Sequence, residues 1–263
     1  MIQTAFEFII RLSTIWLVLF IFYKWAFQNS SNWKLKRTFL LSAYLLGWIL
    51  PLLPSLVESS IVVELNYPML PVTTSEVVIE ANEAAPISTI SIWEILACIY
   101  LLGVIYQAFS FGLQYMKLLF WKTTGQKSTY KSHVIIRNQA IQNPFASLGV
   151  IFLPIEKQDS YIESMICAHE SAHLDLYHNS ERIPLIIGQI LLWFHPLQWL
   201  YINQQSEVQE FEADDCVLQE YSLAQYGKLL IQTSMLTQIK WRPGFYSSPL
   251  KKRINMMTKR KIR

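Results

Sequence analysis

Two histidines, His169 and His173, stand four residues apart with Glu170 beside the first, and this motif constrains the fold more than any other stretch of the chain. Residues four apart lie on one face of an α-helix, so both imidazoles can reach the same zinc ion, with the glutamate beside them as general base. Apolar residues recur around the motif at helical spacing, and Ser160 and Glu163 form a capping-box pattern just before it. The stripe contains Ile162, Met165, Ile166, His169, Ala172, His173 and Leu176. We therefore predict a half-buried helix that carries a Zn2+ site.

A catalytic zinc site needs a third protein ligand, because its fourth position is left to water. His178 does not fit the spacing at which a third histidine follows in the extended form of the motif. Glu210 and Asp214 fit better, since they are four apart and share one face of a later helix. Acidic runs are usually solvated helix faces, but after the histidine pair we predict that Glu210 is a zinc ligand. Asp214 is predicted to accept an N–H from a ligating imidazole and so fix its tautomer.

The composition is that of a membrane protein, with 52% hydrophobic and only 16% charged residues. Three apolar runs are about long enough to span a bilayer. They lie at about residues 8–27, 38–56 and 92–115. We therefore divide the chain into a transmembrane region, residues 1–120 with an outer loop at 57–91, and a zinc domain, residues 121–263.

The distribution of lysine and arginine predicts the orientation in the membrane. Neither residue occurs between positions 38 and 116, whereas both cluster before that stretch and again from Lys117 to Arg137. The positive-inside rule then puts the N-terminus outside and the zinc domain in the cytoplasm, at the bacterial inner membrane. The three cysteines show no disulfide spacing, which fits a reducing compartment. Cys167 is expected to pack as a small apolar residue.

Beyond the transmembrane region, a basic polar linker at 123–128 precedes two predicted strands at 133–137 and 147–154. The second strand, near Gly149, is a candidate edge strand that could hold an extended substrate by main-chain pairing. An ordinary packing hairpin is the alternative.

The apolar run at 183–202 resembles a further membrane span, but it is interrupted at His195 and Pro196. Proline fits the first turn of a new helix, and the segment before it is too short to cross a bilayer. A single crossing would also place Glu210 on the far side of the membrane from the two histidines. We therefore predict a helical hairpin that dips into the interface or packs under the third span, with a return helix from Pro196 to Asp214.

Three motifs follow one another along the chain: HESAH at 169–173, WFHPLQW at 193–199 and EFEAD at 210–214. Preceded by three apolar segments, they resemble the BlaR/MecR type of membrane zinc metallopeptidase, which comprises the beta-lactam sensor-transducers, or antirepressors, and their relatives. The resemblance implies a cytoplasm-facing zinc peptidase that cleaves itself or a transcriptional repressor after an external signal. By position it assigns zinc to His169, His173 and Glu210 and catalysis to Glu170.

The sequence departs from the sensor-transducers after the zinc domain, where they continue into another transmembrane helix and an external sensor. This sequence runs to Arg263 through a basic tail and contains no penicillin-binding module. Beta-lactam sensing is therefore not predicted. We expect either a truncated sequence or a sensor that is a separate protein.

The expected fold is a mainly α membrane protein, with three N-terminal transmembrane helices and a cytoplasmic α+β zincin-like domain of the gluzincin type. The expected partners are a protein or peptide substrate, the lipid bilayer and a separate sensor, with no direct nucleic-acid binding. An oxyanion stabiliser is also expected, and Tyr201 and His195 are the candidates. Two alternatives stay open: a non-catalytic zinc-binding signalling or scaffold protein, and a general membrane quality-control or prenyl-protein peptidase.

Overall fold

The computed structural model of the chain describes residues 2–27, 30, 32–53, 91–156, 159–237 and 249–261. The helices are α1 (Ile2–Phe27), α2 (Trp33–Ile49), α3 (Ile92–Thr124), α4 (Ser160–Asp175), α5 (His178–Leu191), α6 (Pro196–Glu220), α7 (Leu223–Thr237) and α8 (Pro249–Lys261). The strands are β1 (Gln126–Tyr130), β2 (His133–Asn138), β3 (Phe145–Ser147) and β4 (Val150–Pro154).

Helices α1, α2 and α3 are long and apolar enough to cross a membrane, as the sequence predicts. Helix α2 begins at Trp33, earlier than predicted, and gives way to a 3-10 turn at Leu50–Leu52, where Pro51 has no N–H to continue the α-helical ladder. Helix α3 continues to Thr124, so the boundary predicted at residue 120 falls inside it. The outer loop predicted at 57–91 lies outside the described residues except for Ser91, the N-cap of α3.

The four strands form one sheet in the order β1-β2-β4-β3, in which β2 and β4 are parallel and the other pairs antiparallel. The first three residues of β1 fall within the predicted linker at 123–128, because the polar sequence of this strand shows no apolar alternation. The predicted strand at 147–154 is in fact divided by a tight turn at Leu148 and Gly149, whose φ angles are 52° and 74°. Strand β4 is therefore interior, and the two edge strands of the sheet are β1 and β3.

The apolar run at 183–202 forms a helical hairpin, as predicted. His195 is extended and Pro196 occupies the first turn of α6, so the chain reverses direction between α5 and α6. The hairpin packs mainly on α1 and α2. Its tip meets α3 where the Trp193 ring lies against Gly103.

An aromatic cluster holds the hairpin to α1 and α2. The Trp16 ring lies 4.9 Å from that of Tyr44 and 5.6 Å from that of Tyr201, measured between centroids. The Tyr201 hydroxyl donates to the Trp16 carbonyl at 3.0 Å, and the Tyr44 hydroxyl donates to Gln198 Oε1 at 2.8 Å. Each buried polar atom of this cluster thus finds a partner within the helices, which an apolar environment requires.

Helix α4 is enclosed between the sheet and α6, and its buried side chains include Met165, Ile166 and Cys167. Cys167 packs as an apolar residue, as predicted. The capping prediction was wrong by one residue: the N-cap is Asp159, whose side chain accepts from the Tyr161 N–H at 2.8 Å. Aspartate and serine side chains can both cap a helix, so the sequence alone does not distinguish Asp159 from Ser160 as the N-cap of α4.

Gly47 sets the distance between α1 and α2, because a Cβ there would lie 2.1 Å from Cδ1 of the buried Trp16 ring. That ring cannot easily move, since its Nε1–H donates to the Tyr44 carbonyl at 3.0 Å. We expect Gly47→Ala to lower the free energy of unfolding by about 1–3 kcal/mol through overpacking. Gly112→Ala, at a helical glycine with open space around it, is the control. Denaturant unfolding of both variants in detergent micelles measures the effect, and equal stabilities would contradict it.

Candidate metal centre

Three side chains from two helices converge on one point: His169 and His173 from α4, and Glu210 from α6. The two Nε2 atoms are 3.3 Å apart, and Glu210 oxygens lie 3.4 Å from Nε2 of His169 and 3.7 Å from Nε2 of His173. Ligand atoms about 2.0–2.1 Å from a tetrahedral zinc ion are separated by about 3.3 Å. The spacing of these donors therefore fits a single zinc ion.

On the His169 side, Nδ1 is 2.9 Å from the Tyr226 hydroxyl and 3.4 Å from Asp214 Oδ1. The hydroxyl in turn donates to Asp214 Oδ1 at 2.7 Å. Asp214 thus lies beside the imidazole, where the sequence predicts it, but the nearer partner is Tyr226. No sequence signal indicates this tyrosine, because it belongs to α7 and no spacing links it to the motif.

On the His173 side, Nδ1 is 2.8 Å from Nδ1 of His178, whose Nε2 is 3.3 Å from Glu212 Oε2. If Nε2 of His173 binds a metal ion, its Nδ1 carries the proton and donates it to His178. His178 must then be the neutral tautomer that donates from Nε2 to Glu212. The sequence spacing does not fit His178 as a ligand. In the structure it is instead a buried hydrogen-bond partner of the predicted ligand His173.

Two arginines from distant parts of the chain complete these two networks. Arg37 of α2 places Nη1 2.9 Å from Glu212 Oε2 and donates from the same atom to the Leu176 carbonyl at 3.0 Å. Arg253 of α8 donates from Nε to Asp214 Oδ2 at 2.8 Å and places Nη1 3.1 Å from Glu210 Oε2. The ion pairs Arg37–Glu212 and Arg253–Asp214 are largely buried, so their charges interact with little screening by water.

These contacts set the ionisation of Glu210. Burial by itself would raise the pKa of its carboxyl, but hydrogen bonding to His169 and the charge of Arg253 hold that pKa well below its usual range. The pKa of Arg253 is raised in turn, against the effect of burial, by its hydrogen bond to Asp214. Glu210 is thus kept as a carboxylate, the form that can ligate a cation.

Glu170 lies at the base of a cleft of about 410 Å³ that also contains the three donors. Burial raises its pKa, while the charge of His169 and a main-chain hydrogen bond from Ala146 oppose that shift. Ala146 is the middle residue of β3, and its carbonyl accepts from Asn179 Nδ2 at 3.2 Å. Both main-chain polar groups of Ala146 therefore point away from β4 and toward the cleft.

The cleft has two walls. One is formed by residues 143–146, which lead into β3 and include its first two residues, and the other by apolar residues of α7 and α8, among them Leu229, Leu230 and Leu250. Arg253 and Tyr226 reach the cleft from the same side as the apolar wall. The donors and Glu170 thus lie between a strand edge and an apolar surface.

The two candidates for an oxyanion stabiliser are not in this cleft, so that prediction was wrong. Tyr201 is buried among α1 and α2, with its hydroxyl bonded to Trp16. His195 lies at the tip of the hairpin, where its Nε2 is 2.8 Å from Ser13 Oγ. Both residues point into the helical core because they pack against α1, away from Glu210.

Comparison with known proteins gives one family match. A family model described as BlaR1 peptidase M56 matches residues 7–257 and so includes the apolar helices, the hairpin and every residue of the metal centre. No curated protein matches the chain.

The contact between His178 and His173 can be tested through metal affinity. We expect His178→Ala to weaken zinc binding about 10- to 100-fold, because His173 loses the acceptor that fixes its tautomer and ring orientation. His133→Ala is the control, since His133 pairs with Asp175 at 3.0 Å and touches no donor of the centre. Competition with a chromophoric chelator measures both affinities. Equal affinities for the two variants would contradict the assigned role.

Proposed function

The chain belongs to the BlaR1 peptidase family M56, and on that basis we propose that it is a zinc-dependent endopeptidase of the membrane. We propose further that it acts in signal transduction, by regulated cleavage of itself or of a transcriptional repressor. The observation that carries the proposal is the convergence of His169, His173 and Glu210 beside Glu170 in an open cleft.

The donor set favours a catalytic over a structural zinc site. Within the described part of the chain it comprises two imidazoles and one carboxylate, and the cleft leaves room for a further ligand. Structural zinc sites are usually closed by four protein ligands, whereas catalytic sites keep one position for water or substrate. A scaffold protein would also have no use for Glu170, whose burial beside the donors costs free energy.

The bound zinc ion would supply Lewis acidity toward the scissile carbonyl and toward an attacking water. Glu170 would take the proton of that water and pass it to the departing amine nitrogen. Because burial raises the pKa of Glu170, the side chain can hold this proton between the two steps. His178 and Tyr226 would keep the imidazoles in the tautomer that presents Nε2.

The edge strand β3 provides a site for an extended peptide. The main-chain groups of Ala146 point into the cleft next to Glu170, and an approaching peptide strand could replace the bonds they now make to Glu170 and Asn179. Pairing of this kind recognises the backbone, while side-chain pockets add specificity. The substrate strand predicted near Gly149 is thus assigned to Phe145–Ser147 instead.

We propose that the centre lies at the cytoplasmic face of the bacterial inner membrane, with the N-terminus outside. Lys24 of α1 contacts Gln204 of α6, and Ser13 of α1 contacts His195 at the tip of the hairpin. From residue 24 to residue 13, α1 rises about 16 Å, about half the hydrocarbon thickness of a bilayer. The hairpin would therefore enter the membrane without crossing it and return Glu210 to the same side as the histidines. The bilayer and a separate sensor protein are the proposed partners besides the substrate, with no direct nucleic acid.

The peptidase proposal predicts the behaviour of Glu170→Gln. This variant should lose at least about 10²-fold in peptide hydrolysis, because the amide cannot accept the proton, and should keep its zinc. Glu220→Gln, which alters an exposed pair with Lys131, is the control. Cleavage of a quenched peptide library and self-cleavage in vesicles, with metal analysis of each sample, measure the effect. Full proteolysis by Glu170→Gln would refute the proposal.

The same variant can separate the substrate classes. Glu170→Gln retains the cleft and should trap uncleaved partners, which can be compared with products that appear only with active protein. A transcriptional repressor or the chain itself among the trapped species supports the signalling role. A broad set of damaged membrane proteins, or prenylated proteins, would instead assign the peptidase to quality control or prenyl-protein processing.

A further inference from the structure

A second cavity, of about 230 Å³, opens where α1, α2, α6 and α8 meet. Three lysines line it, Lys24 from α1, Lys36 from α2 and Lys252 from α8, and Glu207 is the one acidic residue among its lining. None of these residues lines the metal-centre cleft. The cavity is therefore a separate site with an excess of positive charge.

Lys36 is the most unusual of the three lysines. Only 7% of the residue is exposed, and its ammonium lies 4.9 Å from the centre of the Trp33 ring. Within the described part of the chain, no carboxylate is within ion-pair distance of it, whereas Lys252 holds Glu207 at 2.8 Å. An ammonium that lines this cavity with no carboxylate of the described residues in contact favours an anion supplied from outside the chain.

The charges around the cavity also favour a bound anion. Glu207 attracts both Lys24 and Lys36, while Lys24 repels both Lys36 and Lys252. Lys24 donates to the amide oxygen of Gln204, a neutral partner, so among the described residues its charge is balanced only by the more distant Glu207. One carboxylate is thus shared by three ammonium groups, and a phosphate would relieve their mutual repulsion.

The place of the cavity in the fold identifies the source of the anion. Lys24 is in the last turn of α1 and Lys36 in the first part of α2, so both lie at the ends of the two apolar helices that face the cytoplasm in the proposed orientation. Lipid phosphates occupy this level, and basic pockets between membrane helices bind anionic headgroups there. Aromatic rings of Tyr23 and Trp33 line the same cavity, as is common at membrane interfaces.

We propose that this cavity binds the phosphate of an anionic phospholipid and that the bound lipid holds α8 against the metal centre. Lys252 lines the cavity, and its neighbour Arg253 contacts Glu210 and Asp214 of the metal centre. A headgroup that retains Lys252 therefore also retains the guanidinium beside the zinc ligand. The proposal depends on the proposed membrane orientation but not on peptidase activity.

Lipid binding can be measured on the full chain, purified and reconstituted in phosphatidylcholine with or without phosphatidylglycerol. Native mass spectrometry counts the retained phosphatidylglycerol, and thermal unfolding reports its stabilising effect. The variants are Lys36→Met, of similar shape without charge, Lys36→Arg, which keeps the charge, and Lys34→Met, at an exposed lysine of the same helix, as control. Unchanged unfolding of Lys36→Met in pure phosphatidylcholine establishes that this variant is folded.

The expected result is selective retention of phosphatidylglycerol that Lys36→Met weakens by at least about fivefold and Lys36→Arg and Lys34→Met preserve. Zinc should also dissociate more slowly in phosphatidylglycerol than in phosphatidylcholine, and Lys36→Met should abolish this difference. Equal retention by Lys36→Met, or equal binding of phosphatidylcholine, would overturn the proposal. So would full competition by inorganic phosphate, which would indicate a soluble ligand. Because none of these three readouts involves cleavage, an inactive peptidase would leave the result intact.

Discussion

The metal centre depends on how the Nδ1 atoms of its two histidines are held. An imidazole presents Nε2 to a metal ion in a fixed direction only if the other nitrogen has a stable partner. His169 has Tyr226 and His173 has His178, and each partner is held in turn by a carboxylate that pairs with an arginine. The arginines come from opposite ends of the chain, so α2 and α8 both contribute to holding the donors in position.

This arrangement makes the apolar helices part of the site rather than an anchor attached to it. Helix α6 packs on α2 with one face and on α4 with another, and it carries Glu210 between them. Arg37 joins α2 to Glu212 of the same helix. A displacement of α2 would therefore move Arg37 and change the position of Glu212. Glu212 contacts His178, which is the hydrogen-bond partner of His173. Arg37, Glu212 and His178 thus form a continuous chain of buried ion pairs and hydrogen bonds between α2 and His173.

Predictions from the sequence succeeded where one local rule decided the outcome. The apolar helices, the break at Pro196 and the helix that carries the histidines follow from composition, proline chemistry and helical spacing. Predictions failed where the structure of one segment depends on its pairing with another segment. Strand β1 is polar and exposed and becomes a strand only by pairing with β2, and β4 is interior only because the turn at Gly149 returns β3 to it.

The sequence alone determined the chemistry of the donors: two imidazoles four residues apart, a glutamate beside them, and a later carboxylate that must lie on the same side as the histidines. It could do so because helical periodicity fixes which side chains share a face. The tertiary structure alone decided what holds those donors, since Tyr226, His178, Arg37 and Arg253 have no periodic relation to the motif. Their roles arise from the packing of α2, α7 and α8 around α4 and α6, where burial makes each unpaired polar atom costly and so selects its partner.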